Sequence, residues 1–213
     1  MKRLFAIVIT LVLIMSFGLS QAQAQETKDF KYTIKTNPLS ALGGPFWVII
    51  VPITGEYRVL FEARTLPKQS IEIGLGYVGP SALVNLSKLG DSITSIGVGG
   101  FRGQLMYKFF VTSDKAPKGF YVAPYVSYAE AKIKNKKNTS DFIKATKLNV
   151  AAVLGYQVIT QGGFALDVFT GLGFKDKQWV FSNSSGTTSF NMSDLMGKAG
   201  VSVTFGFNFG YAF

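Results

Sequence analysis

An all-β fold, an eight-stranded antiparallel up-and-down transmembrane β-barrel, is what this sequence predicts, and three observations predict it. The end of the chain alternates with period two, similar alternation recurs in seven segments upstream, and the connections between segments run mostly short and long in turn. In the final segment Ala199, Val201, Val203, Phe205, Phe207, Phe209, Tyr211 and Phe213 share one face, and Lys198, Gly200, Ser202, Thr204, Gly206, Asn208, Gly210 and Ala212 share the other. So large an aromatic stripe does not belong in water, and the opposite face is too small and polar for a soluble sandwich core. Lipid outside and a polar lumen inside suit both faces, and the segment exceeds the roughly 9–11 residues of a tilted spanning strand.

Taken in order, the chain begins with Lys2 and Arg3, an apolar run over 4–19, and then Ala22, Gln23 and Ala24. This pattern predicts a signal peptide over 1–24, cleaved after Ala24, and a barrel domain over 25–213. Residues 32–42 are a poor first strand, interrupted by Pro38, which is tolerated at a strand end. After Gly43, Gly44 and Pro45 a long second strand starts at Trp47. Its better part turns Ile53, Gly55, Tyr57, Val59, Phe61 and Ala63 outward and Thr54, Glu56, Arg58, Leu60, Glu62 and Arg64 inward.

Ile71, Ile73, Leu75 and Tyr77 mark the outer face of the third strand. Phe101, Gly103, Leu105, Tyr107 and Phe109 mark that of the fourth, with Arg102, Gln104 and Lys108 inward. The fifth strand starts at Gly119 and carries Tyr121, Tyr125 and Tyr128, with its faces ambiguous. The sixth presents Leu148, Val150, Ala152, Leu154, Tyr156 and Val158, and the seventh Phe164, Leu166 and Val168, with Asp167 inward. A polar loop over 175–197 precedes the final strand.

Eight is an even number, as single-chain bacterial barrels require. With both termini on the periplasmic side, the turns at 65–69, 112–118 and 160–163 are short, and the outer connections are longer in all but the first case. Trp47 and Trp179 fall near outer strand ends, where an aromatic girdle is expected.

Composition narrows the function. The formal net charge is +10, or +8 once Lys2 and Arg3 leave with the leader. Such a balance suits anionic lipid or lipopolysaccharide phosphates. Nucleic acid is not expected, because no nucleic-acid motif accompanies the charge. Cys and His are both absent. No disulfide or lipidated Cys is then possible, and Ser-His catalysis and His-based metal sites are excluded. The expectation is a protein that is not an enzyme and carries no cofactor.

The inward set is charged. Glu56, Arg58, Glu62, Arg64, Glu72, Arg102, Lys108 and Asp167 are expected to fill the lumen, since an Arg facing mid-bilayer lipid would cost about 2–4 kcal/mol. A selectivity filter or paired-carboxylate site is the sharper alternative to a structural charge network. The basic connection over 132–147 supplies Lys132, Lys134, Lys136, Lys137 and Lys144 as candidate lipopolysaccharide contacts, with a solvated loop as the alternative.

Thr204, Gly206, Phe209, Tyr211 and the final Phe213 resemble the C-terminal signal by which Gram-negative outer-membrane barrels are recognised by the insertion machinery. The chain from about Lys31 also resembles a group of small eight-stranded outer-membrane barrels, related in architecture to the OmpA and OmpX kind. The matching residues are Glu56–Tyr57–Arg58, Ala116 to Tyr121, Gly155–Tyr156–Gln157 and Gly171–Leu172–Gly173. The resemblance implies the bacterial outer membrane and this fold, and supplies no catalytic residues. Asp91, Ser92 and Ile93 resemble a bacterial O-glycosylation motif.

The leading expectation is therefore a non-enzymatic, monomeric outer-membrane barrel acting in envelope integrity or surface interaction through its outer loops. A narrow channel or small-solute binder using the charged lumen is the alternative. A lipid-acting enzyme is disfavoured by the missing His, and a soluble lipocalin-type calyx by the outward aromatic stripe.

Overall fold

The computed structural model describes residues 29–42, 54–82, 96–113, 115–135, 141–183, 186–191 and 201–213. The expected leader (1–24), Trp47, the Asp91–Ile93 motif, Lys136, Lys137 and Lys198 to Gly200 lie outside them. The strands are β1 (Tyr32–Thr36), β2 (Thr54–Leu66), β3 (Gln69–Pro80), β4 (Ile96–Phe110) and β5 (Gly119–Asn135), followed by β6 (Phe142–Ile159), β7 (Phe164–Asn183), β8 (Gly186–Asn191) and β9 (Val201–Ala212). A single helical turn, α1 (Leu39–Leu42), follows β1.

Neighbours pair in the order β6–β5–β4–β3–β2–β1–β9–β7, and β6 pairs in turn with β7, so eight antiparallel strands close into an up-and-down barrel. β8 pairs only with the far end of β7 and adds a ninth strand above the wall. Closure gives each of the eight wall strands a neighbour on both sides for at least part of its length.

The barrel is inverted relative to a soluble protein. Its largest fully buried side chains include Lys35, Lys108, Glu56, Glu62 and Glu72, whereas Phe205 is 70% exposed, Leu75 71% and Val201 72%. The alternation along β2, β3, β4, β6 and β9 places the expected residues on the expected faces. β5, ambiguous in sequence, turns Tyr121, Ala123, Tyr125, Ser127 and Ala129 inward and Val122, Val126 and Tyr128 outward. On the outer face Tyr32 packs its ring 5.9 Å from Phe61 and 5.8 Å from Phe213, across the strands that flank the chain termini.

Four expectations need correction. The first strand does not run over 32–42: it ends at Thr36, because Asn37 and Pro38 start a helix. Asn37 Oδ1 accepts from Ser40 N at 3.2 Å, as an N-cap does, and Pro38 sits where a first-turn proline costs no hydrogen bond. The basic segment over 132–147 is mostly hairpin, because β5 and β6 stay paired from Lys134 and Phe142 inward. Likewise most of 175–197 is strand: β7 continues to Asn183 and turns into β8. Finally, Trp179 joins no outer girdle. It pairs opposite Ala145 on the inner face and packs on Val78, Ala129, Ala131 and Ala145.

The three short turns lie at one end, as expected. In the tightest, Thr160 to Gly163, Gly163 adopts φ +90°, a conformation that other residues rarely take.

Candidate functional site

Among the described residues, reactive side chains converge in the lumen, and the site is built in two tiers. In the inner tier, next to the short turns, Lys35 from β1 and Lys108 from β4 stand among Glu62, Glu72 and Asp167. Lys35 Nζ lies 2.7 Å from Glu62, 2.5 Å from Glu72 and 2.8 Å from Asp167. Lys108 Nζ lies 3.3, 2.9 and 2.7 Å from the same three carboxylates. All five are fully buried. Both ammoniums donate to Gln157 Oε1, at 3.0 and 2.9 Å, and Ser70 Oγ donates to Glu62 at 2.5 Å.

Tyr121 completes this tier. Its hydroxyl donates to Asp167 Oδ1 at 2.7 Å, and Lys108 Nζ sits 4.6 Å from its ring centre. The ring lies flat against β6 because residue 155 is glycine: a Cβ there would meet the Tyr121 ring at 2.4 Å.

The outer tier holds Glu56, Arg58 and Arg102. Arg102 donates to Glu56 at 2.7 Å and to the Tyr125 hydroxyl at 2.7 Å. Arg58 donates to Gln104 Oε1 at 2.9 Å and to Asn208 Oδ1 at 3.2 Å, with Glu56 at 3.5 Å. Gln104 joins the tiers, since its amide donates to Glu72 at 3.3 Å. Gly74 on β3 makes room for it: a Cβ there would fall 2.5 Å from Gln104 Cγ.

Two ammoniums meet three carboxylates in the inner tier, and two guanidiniums meet one carboxylate in the outer tier, so the whole network is neutral. Such balance is what makes buried charges tolerable, because each would otherwise carry an uncompensated desolvation cost of several kcal/mol. Its chemistry is that of a plug. The carboxylates already accept from lysines, arginines, Ser70 or Tyr121, and ammoniums fill the space between them that a bound cation would take. Among the described residues no group of three or more ligands could hold a metal ion.

Of the eight sequence-predicted lumen residues, seven join this network and Arg64 does not. It lies at the mouth near the short turns, forked onto Asp29 at 2.5 and 3.0 Å and donating to Ala116 O at 3.3 Å. The fork holds the exposed Asp29 carboxyl below its ordinary value of 3.8, chiefly through the Arg64 hydrogen bond. A lowered folded pKa means that the pair's contribution is fully present above that ordinary value and is lost as pH falls through the lower folded one. An NMR titration of Asp29 should place its midpoint below 3.8 in the protein and return it toward that value in Arg64→Gln. An unchanged midpoint would remove the fork.

Sequence reasoning missed Lys35, Tyr121, Gln157 and Asn208. Lys35 had a readable signal: Thr33 and Lys35 alternate with Tyr32 and Ile34, which are outward.

Of the expected lipopolysaccharide contacts, Lys132, Lys134 and Lys144 lie on the β5–β6 hairpin. Lys132 Nζ covers the Phe142 ring at 3.6 Å, Lys144 pairs with Glu130 at 3.0 Å, and Lys134 is exposed. Of the insertion-signal residues, Tyr211 and Phe213 are exposed outward and Thr204 is buried inward. Phe213 also ties the end of the chain to β1, its carbonyl accepting from Tyr32 N at 3.0 Å and its N–H donating to Tyr32 O at 2.9 Å.

Comparison with protein-family models, with curated proteins and with solved structures finds no match to this chain.

Proposed function

We propose that this protein is a non-enzymatic integral barrel of the bacterial outer membrane, monomeric and plugged, acting in envelope integrity or surface interaction through the outer hairpins β5–β6 and β7–β8. The observation that carries the reading is the inversion of the barrel: charged side chains fully buried, and Phe205, Leu75, Val201, Val203 and Leu172 60% exposed or more. A belt of that kind has lipid as its natural solvent. The leader-like pattern over 1–24, the resemblance of Thr204 to Phe213 to an insertion signal and the OmpA/OmpX-like resemblance point the same way. Lys132, Lys134 and Lys144, on a hairpin beyond the wall, suit the phosphates of lipopolysaccharide.

The expected result is a protein in the outer-membrane fraction whose electrophoretic mobility differs between unboiled and boiled samples. Recovery in the soluble periplasm or medium, with no heat-dependent shift, would overturn the reading.

The alternative of a small-solute binder is favoured over a narrow channel by the inner tier. Lys35, Lys108, Glu62, Glu72 and Asp167 fill an eight-stranded interior that is only wide enough for side chains. Planar-bilayer recordings should therefore show no steady conductance, and an open state altered by Glu62→Gln would favour the channel instead.

A further inference from the structure

Above the outer tier the lumen opens into a cavity of about 270 Å³. Four cations line it, Arg58, Arg102, Lys147 and Lys175, against one carboxylate, Glu56. This surplus contrasts with the inner tier, where carboxylates outnumber ammoniums. The lysines come from neighbouring strands: Asn149 stands opposite Lys175 in the β6–β7 register, and Lys147 opposite Lys177.

A second observation points to a ligand. The terminal nitrogens of both arginines are engaged by Glu56, Gln104, Tyr125 and Asn208, but their Nε atoms, both buried, have no hydrogen-bond partner among the described residues. Arg58 as a whole is only 8% exposed. A buried donor left unmade costs about 1–3 kcal/mol, more when charged; Glu56 Oε1 is likewise buried without a hydrogen-bond partner among the described residues, so an acceptor relieves the two Nε atoms only if the arginines turn them toward the cavity they line. Asn149, which donates to Thr204 Oγ1 at 3.1 Å, adds neutral polar groups to the same wall.

Beside this cavity part of the wall lacks a ladder partner among the described residues. β1 is so short that it pairs with β9 only at Phe209 to Ala212. From 201 to 208, β9 has a ladder partner only on its β7 side among the described residues. The segment after β1 stands here, where Ser40 Oγ donates to Glu56 O at 2.7 Å, and the cavity lies between Asn37, Leu39 and Ser40 on one side and Phe205, Gly206 and Phe207 on the other.

We propose that this cavity is a binding site for a phosphate group, held by Arg58, Arg102, Lys147 and Lys175 and entered from the outer end of the lumen. The excess of cations over the single carboxylate Glu56 suits a dianionic tetrahedral oxyanion better than a monocarboxylate, and guanidinium N–H donors match phosphate oxygens geometrically. The volume lies just under the range of ordinary small-molecule pockets, so the bound body is a phosphate with at most a sugar-sized appendage. The site rests on the plugged-barrel reading, because the inner tier forms its floor.

The test uses the mature protein folded in detergent micelles and already shown to be heat-modifiable. Inorganic phosphate, glucose 6-phosphate, glucose and a diphosphorylated lipid A are titrated by calorimetry, while the Arg Nε–H signals are followed by NMR. The phosphates are expected to bind saturably with millimolar affinity or better and to shift the Arg58 and Arg102 Nε–H signals, and glucose to do neither. Lys147→Gln/Lys175→Gln should weaken binding roughly tenfold or more. Tighter binding of the lipid than of the soluble phosphates identifies a lipid headgroup as the source of the phosphate, and the reverse order a free solute; either upholds the site. No saturation by any phosphate up to about 10 mM, or unmoved Arg signals, overturns it. If the double variant fails to fold, the Arg signals of the unaltered protein decide. A phosphate failure in heat-modifiable protein leaves the barrel reading standing, whereas absence of the heat shift removes that reading on its own.

Discussion

Lys108→Met is expected to destabilise the folded barrel by about 3–5 kcal/mol, the usual cost of breaking a buried ion pair by removing one partner. Lys108 Nζ touches Glu62, Glu72 and Asp167, and without it the three carboxylates share Lys35 alone. Methionine fills nearly the same volume, so the loss is electrostatic rather than a cavity. Asp167→Asn makes the contrast. It shifts the whole network by one charge, as Lys108→Met does, but leaves each inner carboxylate an ammonium of its own, and the amide can still accept from a lysine and donate to the Tyr121 oxygen, so the cost should be only about 1–2 kcal/mol. Urea unfolding in micelles, read by the heat-dependent mobility shift, compares the two. Equal losses would mean that charge balance does not govern the inner tier.

Leu75→Arg should cost about 2–4 kcal/mol in a bilayer, the penalty for a cation at the midplane of a barrel's lipid face. Leu75 sits in the middle of β3, opposite Val59 on β2 and Gly103 on β4, and is 71% exposed. At such a position on a water-solvated barrel the same change would stay within about 0.5 kcal/mol. Val111→Arg is the depth control: Val111 is 61% exposed but lies beyond the end of β4, at the level of the short turns, where the penalty should fall to about 0–1 kcal/mol. Reversible unfolding from liposomes gives both values. Near-zero costs for both substitutions would remove the lipid belt.

Much of the barrel was legible because its walls are governed by one rule. Where Phe205, Phe207 and Phe209 alternate with Thr204, Gly206 and Asn208, period two fixes strand and face together. The rule weakens where both faces accept similar residues. β5 carries Tyr121, Tyr125 and Tyr128, and which tyrosine points inward depends on Gly155 leaving room across the ladder, a fact of pairing that no local pattern contains. The polar outer segments misled for a different reason. Once the hairpin stands clear of the outer apolar face, Thr187 and Lys134 are as acceptable in a strand as in a loop, and composition stops reporting on pairing.

Charge in the site was readable and its partition was not. The parity that placed Glu62 and Lys108 inside also placed Arg64 inside, yet Arg64 lies close enough to the end of β2 to reach Asp29 instead. Depth along the barrel axis, which separates a lumen residue from a mouth residue, depends on register between strands. Lys35 was passed over because β1 is only five residues long, too short for its alternation to stand out.

The shortness of β1 bears on how the chain finds its fold. The ring is completed where Thr33 meets Ala212, almost the whole described length apart in sequence, and β1 brings only four registered partners to β9, whereas β7 meets β9 along 201–211. Joining chain ends so distant demands most of the loop-closure entropy of assembly before any contact rewards it. The hairpins from β2 to β7 need no such search. Folding should therefore proceed as a growing curved sheet that zips locally and cyclises last, making the β1–β9 junction both the final bond of biogenesis and the first place where the ring can part.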